Sequence, residues 1–347
     1  MRDGEKIYAF GHPFLSLGTS DLAMSESHVV TVIPNINNSF KLAVPDAMVG
    51  TMTQDRNTGV FGNLGQTPKM IPVKVNVQTS RNNQETYNFE IANDAFLTPL
   101  LLNMTIFNSL TATERGLGDT MVNLNGEVKI KGQQPIKLER RYAGAQASQF
   151  ASGSVAAPVS ALLRAGFVNT EITEVNLNFT SIDDSKTAVL ERISLNKSEV
   201  KAGETFEANA YVRTNTGQVF VQRIPVTVPK DTPAGTILVS IGDGGSLQRL
   251  SQANQFIPKN LGELIKTINQ IKKNDRLYVQ AYRITNGAII GSNELPNLPP
   301  SVLATLNNDR TAGGFTPTVI TALIEQEVAP AEFIITGQQV LPIEVIK

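Results

Sequence analysis

The sequence predicts a mainly β protein with an α+β segment, divided into a partial β-barrel at residues 1–92, an α+β region at 93–185 and a β-sandwich with an inserted helix at 186–347. Three observations carry this reading. Residues before Asn93 form short β-branched runs broken by glycine and proline, the pattern of a small barrel. Two stretches with helical spacing of apolar residues then alternate with strands, which suits helices packed on one face of an antiparallel sheet. From about Lys186 strands recur between sharp turn signals, as a sandwich requires.

The first region begins with Arg2-Asp3-Gly4-Glu5, the Asp-Gly pair of a hairpin turn with almost no chain before it to supply a partner strand. Ile7 to Phe10 alternate as a half-buried strand. That strand either pairs elsewhere in its sheet or belongs to a domain whose opening part lies upstream, and the second reading is preferred. Its open edge would be a pairing site for a second copy. Ser16 to Ala23 reads as a polar loop, Val29 to Ile33 as a buried strand ended by Pro34, and Phe40 to Val44 and Val49 to Thr53 as two short strands. Glycines between Gln54 and Gly65 mark bends or close backbone approaches, because their spacing does not match Gly-x-Gly-x-x-Gly before a helix. Ile71, Val73, Val75 and Val77 share one face of a strand that Tyr87 to Ile91 answers across the Arg81-Asn82-Asn83 turn.

In the second region, Phe96 to Leu110 reads as a helix with Asp94 as its N-cap and with Leu97, Leu100, Leu101, Met104 and Phe107 on its buried face. Met121 to Lys131 and Ile136 to Tyr142 are expected strands, Val155 to Ala165 a second helix, and Ile172 to Ile182 an alternating strand. The small-residue stretch Ala143 to Ala157 reads as their loop, so Ser152-Gly153-Ser154 is taken as loop and cap rather than as a nucleophile. In the third region, strands are expected at Leu190 to Leu195, Phe206 to Val212, Gln218 to Val228, Thr236 to Gly242, Leu277 to Ile284 and Val340 to Ile346. Ile257 to Ile271 is a core-covering helix with Leu261, Leu264, Ile265 and Ile268 as its stripe, and Asp243-Gly244-Gly245 a strand-end turn.

Composition removes several classes of function. Thirty basic residues balance 31 acidic ones over 347 residues, and no basic run offers a nucleic-acid footprint. The absence of Cys excludes disulfides, thiolate zinc sites and a cysteine nucleophile. Apolar runs such as Phe96 to Leu102 are too short to span a bilayer. The chain has only two histidines, His12 and His28, on different strand-loop units, so neither a metal site nor a cofactor is expected. His12 is the candidate for chemistry. Gly11 permits an unusual backbone angle before it and Pro13 keeps it out of the helical region, so its imidazole has a fixed direction, as a general base needs. A turn histidine bonded to backbone would show the same neighbours.

Phe10-Gly11-His12-Pro13, the stretch from Gln54-Asp55-Arg56 to Gly65, and the strand starting at Met70-Ile71-Pro72-Val73 resemble the SpoIVB-type serine peptidase family over about residues 5 to 100. The resemblance implies a trypsin-like two-barrel fold with Ser, His and Asp as nucleophile, base and orienting group. His12 matches the family histidine, and Asp94 matches the family aspartate. It also implies that an immunoglobulin-like domain follows, here the sandwich. The family's Gly-Met-Ser-Gly-Ser-Pro type motif, which supplies the nucleophile and oxyanion amides, is missing from this sequence. In larger relatives it lies upstream of the Gly-His-Pro stretch. The expectation is therefore a catalytically incomplete peptidase-like protein acting as a binding or scaffold module of the cell envelope, with a protein or peptide ligand. Two alternatives remain: an active serine endopeptidase completed by upstream sequence with His12 as base, or an envelope adhesion or carbohydrate-binding protein. A periplasmic or other extracytoplasmic location follows if a signal peptide lies upstream.

Overall fold

The computed structural model describes residues 4–11, 13–15, 18–36, 39–80, 83–113, 119–167, 170–251, 258–290, 293–295, 298–306 and 315–347. The protein is mainly β, with 55% strand and 18% helix, and its sheets divide it into an N-terminal ribbon-like sheet, a helix-covered sheet and a two-sheet sandwich.

The N-terminal sheet has the order β1 (Lys6–Phe10), β4 (Gly59–Leu64), β3 (Phe40–Arg56), β2 (Gly18–Ile33), all antiparallel. The first strand finds its partner in β4, from Lys6 opposite Asn63 to Phe10 opposite Gly59. Its entry is the positive-φ Gly4, whose N–H donates to the Leu64 carbonyl at 2.9 Å. Glycine is needed where β1 and β4 meet, because a Cβ on Gly59 would lie 2.2 Å from the Ala9 carbonyl oxygen. The polar loop expected at Ser16 to Ala23 is instead strand from Gly18 onward, and β3 runs unbroken through Pro45. Proline is tolerated there because the β2–β3 ladder shifts register beside it, between Ser25 and Ser27. The larger correction concerns burial. Val29 to Ile33, expected to be buried, lie on an exposed arm of the sheet, since β-branched residues favour a strand without determining what covers it.

The second sheet has the order β6 (Gln84–Ala92), β5 (Met70–Gln78), β9 (Ile172–Ile182), β7 (Thr120–Ile130), β8 (Ile136–Gly144). Parallel pairing of β5 with β9 draws the 70–92 hairpin into this sheet, so the sheets divide between Leu64 and Met70 and not at residue 92. Ile71, Val73, Val75 and Val77 face inward as their alternation predicts. Two helices cover that face, α1 (Leu97–Thr113) and α2 (Ala147–Arg164). Helix α1 buries Leu102, Ile106 and Leu110, while of the expected face Leu100, Met104 and Phe107 are exposed and Leu101 packs partly buried against the core. Apolar residues surround most of this helix, so their periodicity carries little contrast. Helix α2 starts at Ala147, so Ser152-Gly153-Ser154 is helical rather than loop. Its small residues Ala147, Ala151 and Ser152 are buried, and Ser152 Oγ donates to Asn103 Oδ1 of α1 at 2.8 Å.

The third part comprises β10 (Thr187–Leu195), β11 (Glu199–Lys201), β12 (Thr205–Thr214), β13 (Val219–Thr227), β14 (Gly235–Asp243), α3 (Gly244–Ser251), α4 (Leu261–Asn269), β15 (Leu277–Ile290), β16 (Asn293–Leu295), α5 (Pro300–Leu306), β17 (Phe315–Glu327), β18 (Ile334–Thr336) and β19 (Gln338–Ile346). Sheet β13-β12-β10-β18 faces sheet β11-β19-β14-β15, with β16 and β17 both paired to β15. Phe206, Val212 and Val226 from the first and Ile237, Val239, Val279 and Ile343 from the second fill one core. Helix α4 does cover a core, but a neighbouring one: Leu261 and Ile265 belong to the cluster under the five-stranded sheet.

Candidate functional site

His12 lies outside the described residues, which resume at Pro13. Gly11 has φ 129° and donates its N–H to the Thr58 carbonyl at 3.3 Å. Beyond the histidine, the carboxylate of Asp55 takes hold of the backbone. Its Oδ1 accepts the Phe14 N–H and its Oδ2 the Leu15 N–H, each at 2.7 Å, and Asp55 is 0% exposed. Hydrogen bonds to an ionised acceptor are about twice as strong as neutral ones. Asp55 therefore holds Phe14 and Leu15 against the end of β3. Sequence reasoning passed over it among the glycines. The available signal was an acidic residue at the inward end of a β-rich stretch, where burial makes sense only if something is bonded.

Asp94 sits elsewhere, at the head of α1. Its Oδ1 accepts the N–H groups of Phe96 and Leu97, both at 2.8 Å. Its own N–H donates to Thr98 Oγ1 at 2.9 Å, and that hydroxyl donates to the Ala92 carbonyl at 2.6 Å. This is helix capping, as the sequence predicts for this position. The carboxylate that grips the loop after His12 is Asp55.

Ser152 and Ser154, and Ser109 in the other helix of the pair, are occupied inside helices. Ser109 Oγ donates to the Thr105 carbonyl at 2.8 Å and Ser154 Oγ to the Ala151 carbonyl at 2.7 Å, while Ser152 bonds Asn103 across the helix pair. His28 Nδ1 lies 3.0 Å from the Asp46 carboxylate on the exposed arm. Among the described residues no group of three or more His, Cys, Asp or Glu could hold a metal, and no helix is long and apolar enough to cross a membrane.

That arm is the most unusual surface of the molecule. Pairing of Ile33 with Phe40, Thr31 with Leu42 and His28 with Val44 sets Ile33, Phe40, Leu42 and Val44 on one face. Val29 and Val32 lie on the other with Ala43. All of the large ones are between 39% and 53% exposed. At the other end of β3, Phe10 and Phe14 are 84% and 66% exposed, and Tyr8 stacks on Phe10 with centroids 6.2 Å apart. A two-stranded ribbon apolar on both faces is marginal in water by itself. Comparison with protein-family models, curated proteins and solved structures returns no match for this chain.

Proposed function

We propose that this chain is a catalytically incomplete SpoIVB-type peptidase-like protein that works as a binding or scaffold module of the cell envelope, engaging polypeptide through its N-terminal sheet. The observation that carries the reading is the apolar arm of β2 and β3. Its large apolar side chains stand exposed on both faces of the ribbon, and contiguous exposed apolar surface of this kind marks interaction sites. The outer strands β1 and β2 add backbone groups that an extended peptide or a second copy can pair with. Helix-bound serines support the non-catalytic part, since a hydroxyl donating within a helix is not presented to a base.

One set of measurements tests both parts. Light scattering over a range of concentrations should show self-association of the native chain, and a Val32→Lys, Phe40→Lys, Leu42→Lys variant should be monomeric with unchanged thermal unfolding. A native chain that stays monomeric at every concentration and binds no strand-forming peptide would overturn the binding reading. A second reading, a serine peptidase completed by sequence outside this chain with His12 as base, is favoured by the buried Asp55 carboxylate bonded to Phe14 and Leu15, two and three residues after that histidine in the sequence. Fluorophosphonate labelling of a single serine, lost in His12→Ala, would establish that reading in place of the first.

A further inference from the structure

The connection from α4 to β15 runs beside β8, the outer strand of the five-stranded sheet. Asn269 Oδ1 accepts the Lys137 N–H at 2.8 Å and its Nδ2 donates to the Pro135 carbonyl at 2.9 Å. Asn274 repeats the arrangement, accepting from the Arg141 N–H at 3.0 Å and donating to the Arg141 carbonyl at 2.5 Å. Two asparagine amides thus stand where a sixth strand would pair. Arg141 donates to the Ala331 carbonyl at 2.6 Å and lies 3.8 Å from Asp275, which bonds Arg276 at 2.8 Å. The result is a fixed wall from the sandwich along one side of the sheet face opposite α1 and α2.

On that open face the strands line up amides. Register places Asn76 beside Asn178, Asn178 beside Asn125, and Thr180 beside Asn123, about 4.8 Å apart across the ladder. Where these rows meet the wall there is a cleft of ≈ 520 Å³ lined by Asn123, Asn125, Asn178, Thr180, Arg141 and Asp275, among others. Asn123 carries a buried Oδ1 with no hydrogen-bond partner in the structure, and a buried acceptor in that state calls for a donor. The charged side chains at the cleft are already bonded, Arg141 and Arg276 to Asp275, Lys273 to Glu139, and Arg140 to the Lys272 and Ile271 carbonyls.

We propose that this cleft binds a neutral saccharide of about disaccharide size. Asn274 is held on the Arg141 backbone and Asn178 Oδ1 accepts from Asn76 Nδ2 at 2.8 Å, so the exposed Asn125 amide, with donor and acceptor side by side, and the Asn178 Nδ2 group are what match the vicinal hydroxyls of a sugar, and the volume lies within the ~300–1,000 Å³ of small-ligand sites. The site uses the sheet face and the junction, and does not depend on the peptide-binding arm. The experiment is an amide-resolved NMR titration of the full chain with maltose, cellobiose and N,N′-diacetylchitobiose, with glucuronate as a charged control. Saturable shifts confined to β7, β9 and residues 274–275 are expected with at least one disaccharide. Thr180→Trp, which fills the cleft from an exposed position, should weaken binding at least tenfold, and Asn88→Ala, on the same face beyond it, should leave binding unchanged. No saturable shift with any disaccharide, a response to glucuronate alone, or binding indifferent to Thr180→Trp would each overturn the proposal.

Discussion

Asp55 joins two backbone amides that no regular ladder reaches, and it does so from a site closed to water. Replacing it with Ala leaves the Phe14 and Leu15 N–H groups without their acceptor, at a cost of about 2–3 kcal/mol for charge-assisted bonds. Chemical denaturation should register that loss, and hydrogen exchange at the Phe14 and Leu15 amides should rise more than at β5. Asp94→Ala is expected to cost about 1 kcal/mol, the usual value of an N-cap, with faster exchange in the first turn of α1 only. A loss several times larger, spread over β1 to β4, would show that Asp94 also supports the segment that Asp55 holds. The cap was legible because Asp immediately before a helical apolar run has one common use. Asp55 was not, because its partners lie 40 and 41 residues away and no local pattern points to them.

Among the elements, α4 ties two units together. It lies in the chain between the sandwich strands β14 and β15, after α3, yet Ile265 is 2% exposed in the core of the helix-covered sheet. Ile265→Ala should therefore cost about 2–4 kcal/mol, and the exchange protection lost should be that of β8 and α2 before that of β12. Protection lost first in β12 would mean that the helix belongs energetically to the sandwich. The stripe on α4 was plain in the sequence, as was its N-cap Asn260, whose side chain accepts the Glu263 N–H at 2.9 Å. Which core it would cover was not. The face of α1 escaped for the opposite reason: Leu100, Met104 and Phe107 are as apolar as the buried Leu102, Ile106 and Leu110, so only packing against β5 and α2 selects between them.

Across the whole molecule, acid should loosen the protein through a set of paired carboxylates. Glu171 is held below its ordinary 4.5 by hydrogen bonds from Lys69 and then Lys131, Glu191 by Arg213 and Glu204 by Lys197. Burial pushes Asp275 up, but the Arg276 hydrogen bond and the charges of Arg276 and Arg141 bring it below its usual value. A carboxylate with a depressed folded pKa contributes stability that is complete above its unfolded pKa and is lost as pH falls through the folded one. The melting temperature should accordingly be level near neutrality and drop below about pH 4.5. Glu171→Gln and Asp275→Asn should each flatten the drop, and salt should reduce the contribution of Glu171 more than that of Asp275, which is the less exposed. An acid slope identical in both variants and the native chain would remove these groups as its cause.

The sequence by itself determined the mainly β character, most strand positions and inward faces such as Ile71 to Val77, the cap at Asp94, and the balance of charge. All of these are carried by residues within one or two turns of each other, where propensity and period act. Only the tertiary contacts settle that β5 pairs in parallel with β9, that Asp55 holds Phe14 and Leu15, that α4 crosses to a neighbouring core, and that the β-branched arm is left uncovered. Those outcomes depend on contacts between residues far apart in the chain, and a strand or helix with the right period does not specify which surface it will meet.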